Sequence, residues 1–287
     1  MDWKDPNIAK KYKPGETMTG PFSVHLIKQA GLDADSLSTT GDLVTLDNAC
    51  GTGILTVNLY DALPSHAKDR IQHTCGDISP SMIDAVRSRI DENGWKGASA
   101  KVIDAQNMDV PSNTFTHVLT NFGFVGIADP RRVLSEWRRV LRPAGVCGFT
   151  IWESVGWFPV VGAAVRSLHG PAFPTWKEFC NSFSATEEAW EERAFFEREI
   201  EAVGFEEVRV ESFENQTKHA SAKEFCEVYG GMCKVITEKL WSEEEKEKYR
   251  PELNAAIERA LREQHGDGEV VLDWKAWVVT AKAPVEK

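Results

Sequence analysis

Leu43-Val44-Thr45-Leu46 runs into Asp47-Asn48-Ala49-Cys50-Gly51-Thr52-Gly53-Ile54, which reads as an apolar strand, an acid and a small-residue loop that opens a helix. Small residues let a ligand approach backbone N–H groups that side chains would otherwise block. The Asp47 carboxylate adds a fixed negative charge, which repels a phosphate and attracts a cation. The combination points away from nucleotide phosphates and toward a ligand carrying an amine or a sulfonium.

Asp77 closes a second strand pattern, in Cys75-Gly76-Asp77-Ile78-Ser79. It follows Asp47 by about thirty residues, roughly where a doubly wound fold sets an acid against ribose hydroxyls. A carboxylate accepts both hydroxyl protons. Asp77 also fits a helix N-cap, although Ser79, with Pro80 at the first helical position, fits that role better. Asp104-Ala105-Gln106 follows a third strand pattern. An acid there accepts the amino hydrogens of an adenine while Ala105 leaves room for the ring, and it equally fits the start of a turn. Asn121-Phe122-Gly123-Phe124 follows a fourth. Phe122 or Phe124 can turn a ring toward a sulfonium, or both can be plain core aromatics. His117 fits a packed or surface histidine better than a base. S-Adenosylmethionine carries both the amine and the sulfonium, together with a ribose and an adenine.

The elements that must position these loops alternate. Strand patterns at Leu43–Leu46, Ile71–Cys75, Ala100–Ile103, His117–Asn121 and Val146–Ile151 are separated by helical patterns at Ile54–Leu63, Pro80–Glu92 and Pro130–Leu141. That alternation is the sequence form of a doubly wound parallel α/β sheet. Arg142-Pro143-Ala144-Gly145 is expected to stop the last of these helices, with Gly145 free to take a positive φ. Glu191–Val203 reads as an amphipathic helix closed by Gly204, Val208–Phe213 as a strand and Val270–Ala281 as a long final strand. Ligands of such sheets sit beyond the carboxyl ends of the strands, at the switch in strand order. The expected organisation is a helical N-terminal segment over 1–41, a ligand-binding core over 42–155, and an aromatic-rich insertion over 156–189. A core helix and strand over 190–216, a helical lid over 217–267 and a final strand with tail over 268–287 complete it. Both insertions are expected to hang over the ligand edge, and the charged run Ser242–Arg250 reads as a solvated helix face.

Across 287 residues, 44 acids outnumber 33 bases for a net charge of −11. With no basic patch, a nucleic-acid partner is excluded. The six cysteines form no C-x-x-C pair, and read as free thiols in a reducing compartment rather than a disulfide frame or a zinc site. Cys226 and Cys233 have the spacing of one helix face and read as packing, so no metal is expected. Met1-Asp2-Trp3-Lys4-Asp5 is charged and is no signal region. No run of about 18 apolar residues implies a membrane span. A cytoplasmic protein with no membrane partner is expected.

In their order, these loops resemble class I S-adenosylmethionine-dependent methyltransferases. The resemblance implies a Rossmann-like seven-stranded sheet whose last two strands, Val208–Phe213 and Val270–Ala281, form a reversed hairpin. It implies Asp47, Ala49, Gly51 and Gly53 around the methionine moiety, Asp77 at the ribose, Asp104 and Ala105 at the adenine, and Asn121 behind the cofactor. Ala49 stands where the family usually has glycine. Asn48, Ile78, Met82, Gln106 and Phe122, in or beside the same loops, complete the expected cofactor-binding set. Tyr12 and Thr19 are the expected polar contacts of a leading helix that closes over the cofactor; an ordinary docking helix is the alternative.

Leu46-Asp47-Asn48-Ala49-Cys50-Gly51, Cys75-Gly76-Asp77, Asn121-Phe122-Gly123-Phe124, Trp157-Phe158-Pro159 and Pro174-Thr175-Trp176-Lys177-Glu178-Phe179 are similar to a narrower group. These are the fungal methyltransferases of the gliotoxin thiomethyltransferase type, which methylate both thiols of a reduced epidithiodiketopiperazine. The similarity implies S-methylation of a small dithiol of secondary metabolism. Methylation of oxygen or nitrogen on another fungal metabolite, and a non-catalytic binding protein, are the alternatives. Phe124, Trp152, Trp157 and Phe158 are the expected substrate contacts. With Phe173 and Trp176 they suit a small ring-bearing acceptor, or a second hydrophobic core. No catalytic base declares itself: His25, Glu153, His169 and His219 are candidates, and each fits a solvated residue better. A thiol, with an unperturbed pKa near 8.5, needs little help to ionise.

Overall fold

The computed structural model describes residues 5–37, 41–124, 127–170, 172–181 and 188–285, apart from the side chains of residues 232–236 and 239. Residues 1–4, which open the charged N-terminus, and the side chain of Cys233 lie outside the described residues.

Strand β1 (Leu43–Asn48) is buried along its whole length, as suits a central strand covered on both faces. It pairs in parallel with β2 (Ile71–Asp77) on one side and β4 (Phe115–Asn121) on the other. Strand β3 (Ala98–Val102) lies outside β2, and β5 (Leu141–Val155) outside β4, both again parallel. Strands β6 (Glu206–His219) and β7 (Val270–Lys282) complete a seven-stranded sheet in the order β3-β2-β1-β4-β5-β7-β6. Strand β7 runs the other way, antiparallel to both β5 and β6. Ala144 N–H, near the start of β5, donates to Ala283 O just past the end of β7 at 3.1 Å. Lys282 meets Glu207 at one end of the β6–β7 pair, and Gln216 donates to Asp273 toward the other. The expected Rossmann-like sheet with its reversed C-terminal hairpin is therefore present. Strand order switches between β1 and β4, and this opens a crevice at their carboxyl ends.

The leading segment folds as α1 (Ile8–Tyr12), a short 3-10 turn and α2 (Glu16–Gln29). Helix α3 (Ile54–Ala62) follows β1, and the short α4 (Ser65–Lys68) precedes β2. Helix α5 (Pro80–Asn93) follows β2, and α6 (Pro130–Val140) follows the loop after β4. Each start has a local cause. Gly53 turns into α3 at φ 85°, Pro80 supplies the fixed φ of a first helical residue, and the Asp129 carboxylate accepts Arg132 N–H at 3.0 Å. Val133, Leu134, Trp137 and Val140 form the buried stripe of α6.

The chain divides into two compact units. The larger comprises residues 2–152, 183–213 and 276–287, and includes α9 (Arg193–Ala202), which ends before Gly204 at φ 92°. The smaller comprises residues 153–182 and 214–275. It holds α7 (Trp157–Ser167), α8 (Trp176–Asn181), α10 (Ala222–Leu240) and α11 (Glu243–His265). Helix α11 opens on a reciprocal capping box between Ser242 and Glu245.

One local expectation is corrected. Arg142-Pro143-Ala144-Gly145 is not a stop between helix and strand, because β5 begins at Leu141 and carries the run within it. The left-handed residue is Ala144, at φ 59°, and not Gly145. Gly145 is needed for a close approach: a Cβ there would lie 2.9 Å from Arg142 O and 3.1 Å from Thr116 O.

Candidate functional site

A cavity of about 240 Å³ opens in the larger unit at the carboxyl ends of β1, β2 and β4. Asp47, Ala49 and Gly51 reach it from the loop after β1, and Asp77, Ile78 and Met82 from β2 and the start of α5. Asp104, Ala105 and Gln106 reach it from the loop after β3, Asn121 and Phe122 from the end of β4, and Tyr12 and Thr19 from the leading segment. Asn48 and Gly53 do not line it. Asn48 is buried at the end of β1. Gly53 lies against α5, where an added Cβ would sit 3.1 Å from Val86.

The loop after β1 curls through three left-handed residues, Ala49 (φ 52°), Gly51 (φ 53°) and Gly53 (φ 85°). For Ala49 that backbone is strained by its Cβ. Gly51 does not leave its N–H free for a ligand: it donates to Asp77 Oδ2 at 2.9 Å. Asp77 Oδ1 accepts Ser79 N–H at 2.9 Å. Asp77 thus braces both loops, and Ile78 N–H adds a third backbone hydrogen bond to its carboxylate. Burial raises its pKa, and the bonds from Ser79 and Gly51 oppose that rise. Ser79 takes the N-cap position, but its side chain makes no capping bond.

Asp47 is the most confined carboxylate of the site. Its Oδ2 accepts the Thr56 hydroxyl at 2.7 Å, whereas Oδ1 is buried and has no hydrogen-bond partner. Burial and the neighbouring Cys75 push its pKa up to about 7, against the pull of His73 and Thr56. His73 and Cys75 stand two residues apart on β2, in register with Thr45 and Asp47. One sheet face therefore carries all four, since side chains alternate with a period of two. Asp47, His73 and Cys75 bring possible metal-ligand atoms within 4.8 Å of one another. The Thr56 hydroxyl already bonds all three, so a protein oxygen holds the place a metal ion would take.

The rest of the wall divides into turn, clamp and apolar surfaces. Asp104 Oδ1 accepts Gln106 N–H at 2.9 Å, so it starts a turn as well as lining the cavity. Asn121 donates to Thr19 O at 3.1 Å and accepts the Thr150 hydroxyl at 2.8 Å, which ties β4 to α2 and β5. Ile78 stays 52% exposed, whereas Met82 and Ile103 of the same lining are buried. Burial pushes the Tyr12 phenol up to about 12, with Asp77 and Glu16 adding to the rise, so it is a neutral donor. Glu16 anchors the segment that carries Tyr12 and Thr19: it accepts the Thr52 hydroxyl and pairs with Arg89 of α5 at 3.1 Å.

The expected substrate aromatics separate. Phe124 is a core residue: it is fully buried, stacked on Phe149 at 4.5 Å and packed beside Trp137 and Trp190. Trp152 stacks on Phe122 at 3.8 Å, and Phe22 meets both rings edge-on. Phe122 holds a left-handed backbone at φ 59°, and this turns the chain at the cavity wall. Trp157 and Phe158 belong to the smaller unit, where Phe158 lies 4.8–5.2 Å from Phe173, Trp176 and Phe179. Of the candidate bases, His25 stacks on Phe213 at 3.8 Å and Glu153 pairs with Lys275. His219 is buried between Phe225 and Tyr229, and His169 sits at φ 51° just beyond α7. Burial lowers the pKa of both His25 and His219, and none of the four lines the cavity.

Sequence reasoning missed Thr56, His73, Glu16 and Arg89. The alternation of Thr45 with Asp47 and of His73 with Cys75 was readable as one sheet face, but the strand register that joins the pairs was not. Nothing in the sequence connects Glu16 with Thr52 and Arg89.

Residues 45–145 match the family described as "Methyltransferase domain". The chain is 32% identical to acetylaranotin bis-thiomethyltransferase of Aspergillus terreus, over 96% of this chain and 94% of that protein. It is 28% identical to methyltransferase tpcH of Aspergillus fumigatus, over 98% of each chain. Among solved structures, a methyltransferase from Bacillus halodurans described as putative superposes with a TM-score of 0.57 at 16% identity, over 92% of this chain and 99% of that one. Phosphoethanolamine N-methyltransferase 2 of Haemonchus contortus, in complex with S-adenosyl-L-methionine, superposes with a TM-score of 0.54 at 15% identity, over 99% of this chain and 60% of that one. Among the described residues, no helix is long and apolar enough to cross a membrane.

Proposed function

The chain belongs to the class I S-adenosylmethionine-dependent methyltransferases of fungal secondary metabolism, and on that premise we propose that it methylates both thiols of a reduced epidithiodiketopiperazine-like dithiol. The observation that carries this choice of acceptor is the similarity to acetylaranotin bis-thiomethyltransferase over almost the full length of both chains.

S-Adenosylmethionine is the cofactor, and the residues at the cavity fit it. A buried carboxylate oxygen without a donor, Asp47 Oδ1, suits an ammonium. The Asp77 carboxylate, held at the end of β2 beside the cavity, suits the ribose hydroxyls. Asp104 and Ala105 suit the adenine edge, between the apolar side chains of Ile78, Met82 and Ile103. Asn121 and Phe122, with Tyr12 and Thr19 of the leading segment, complete the proposed cofactor contacts. When bound, the cofactor supplies an electrophilic methyl group on a sulfonium. The task left to the chain is orientation, which contributes roughly 7–11 kcal/mol when reactants are held in line.

A thiol acceptor suits a cavity that none of the candidate bases lines, because a thiol ionises near neutral pH whereas an alcohol does not. Trp157 and Phe158 of the smaller unit, with Phe173 and Trp176, are the proposed selectors of a small ring-bearing acceptor. A cytoplasmic setting belongs to the same reading: Cys50, Cys75, Cys147 and Cys226 are thiols, as a reducing compartment keeps them.

The test is methyl transfer from labelled S-adenosylmethionine to a matched set: a reduced cyclic dithiol, an aromatic monothiol, a phenol, a carboxylic acid and an amine. Label on the dithiol, with none on the phenol or the amine, is expected. Label on oxygen or nitrogen alone would overturn the choice of acceptor and leave the family intact.

A further inference from the structure

Four buried side chains form a chain of hydrogen bonds under the cavity floor, and only Asp47 at its end lines the cavity. Thr45 Oγ1 lies 2.6 Å from His73 Nδ1, and His73 Nε2 lies 2.9 Å from Thr56 Oγ1. Thr56 Oγ1 donates to Asp47 Oδ2 at 2.7 Å. With its single proton on Asp47, Thr56 accepts from His73 and from the Cys75 thiol 3.2 Å away. In that arrangement His73 Nε2 carries a proton whatever the charge of the ring. With the ring neutral, Nδ1 accepts from Thr45. With the ring charged, Nδ1–H donates to Thr45. Either state can be satisfied without moving a heavy atom. One Asp47 oxygen is held in place, while Oδ1 remains without a partner.

We propose that His73, acting through the Thr56 hydroxyl, is a positioning residue for the cofactor: it fixes the Asp47 carboxylate and sustains its negative charge toward the cofactor's ammonium. The inference rests on the reading of Asp47 as the ammonium site. The relay places a proton-bearing ring two hydrogen bonds from a carboxylate that burial would otherwise neutralise.

The other groups facing this cluster have definite signs. His73 favours ionised Asp47, while Cys75 on β2 and Asp77 at its end oppose it. Cys75 also bonds the Thr56 hydroxyl at 3.2 Å; Cys50 and His73 lower its pKa, and Cys75 in turn raises that of His73. Tyr60 of α3 lies edge-on to the His73 ring at 6.0 Å, and burial raises its pKa to about 12, so it stays neutral. The relay therefore predicts that loss of His73 makes Asp47 harder to ionise.

The test is the affinity for S-adenosylhomocysteine, which carries the same amino group, measured by calorimetry from pH 5.5 to 8. The full chain is used, with the variants His73→Gln, Thr56→Val and Asp47→Asn. The ligand's own amine titrates alike for all of them, so the ratio of variant to wild type isolates the protein. For H73Q, about tenfold weaker binding is expected at pH 6, the factor that follows if Asp47 then ionises at a pH higher by about one. That ratio should shrink as the pH rises. T56V should follow H73Q. A ratio for H73Q that is constant across pH, or equal to one, would overturn the proposal. If H73Q does not fold, T56V carries the same test. If D47N binds as wild type does, the reading of Asp47 fails and the proposal with it. If D47N is weakened while the H73Q ratio stays flat, only the relay fails.

Discussion

Replacing Asp47 with asparagine is expected to weaken the cofactor and strengthen the fold at once. The carboxyl is buried at the end of β1, and burial with the neighbouring Cys75 raises its pKa from 3.8 to about 7. A carboxyl that binds its proton more tightly when folded destabilises the fold as it ionises. The cost is absent below the unfolded value, grows as the pH rises toward about 7, and is fully present above it. A rise of about three, at about 1.4 kcal/mol for each pH unit, puts the upper bound near 4 kcal/mol. Asparagine keeps the shape and an oxygen for the Thr56 hydroxyl but carries no charge. With relaxation around the site, D47N is expected to gain about 2 kcal/mol at pH 8 and about 0.5 kcal/mol at pH 4.5. The lost charge-assisted hydrogen bond is worth about 1.5–3 kcal/mol, which is a tenfold to hundredfold loss of affinity. Urea denaturation without ligand at the two pH values, and calorimetry with S-adenosylhomocysteine, measure both sides. A variant less stable than wild type at pH 8, or one with undiminished affinity, would refute the reasoning.

Three further substitutions separate packing from binding. Phe124→Ala empties a fully buried ring site and is expected to cost about 3–5 kcal/mol by denaturation, with little change in the acceptor KM of the enzyme that remains folded. Gly123→Ala would set a Cβ 2.6 Å from Thr120 Oγ1 and 2.8 Å from the Ala49 Cβ. About 1–3 kcal/mol of stability, and cofactor affinity with it, should be lost, as melting with and without S-adenosylhomocysteine would show. Ala144→Gly relieves a left-handed alanine on an exposed turn of β5. Strain relief of about 1–2 kcal/mol, less the entropy glycine adds to the unfolded chain, leaves a gain of about 0.5–1 kcal/mol readable in the urea midpoint.

Much of this architecture was legible because its signals are local. The apolar run Leu43–Leu46, the small-residue loop after it and the Ser79-Pro80 helix start each depend on a few adjacent residues. Spacing then placed Asp47, Asp77, Asp104 and Asn121 at successive strand ends, and the structure brings all four to one cavity. The misreadings have non-local causes. Gly145 looked like a left-handed stop, yet its requirement is the carbonyl of Thr116 on the neighbouring strand, while Ala144 takes the positive φ. Phe124 and Phe122 are two residues apart in one loop and indistinguishable by type. One joins the core under α6 and the other lines the cavity, and only the packing of Phe149 and Trp190 against Phe124 separates them. The relay through Thr56 and His73 needs the register of β1 on β2 and the seating of α3 on the same sheet face, and neither is written in any single segment.

The central claim is that the cavity at the carboxyl ends of β1, β2 and β4 holds the cofactor with its ammonium at Asp47. A crystal structure of the chain with S-adenosylhomocysteine tests this most directly. The account predicts the amino group within hydrogen-bond distance of Asp47 Oδ1, the ribose hydroxyls on Asp77, and the adenine beside Asp104 and Ala105. A ligand bound elsewhere, or one whose amino group leaves Asp47 Oδ1 without a partner, would contradict it.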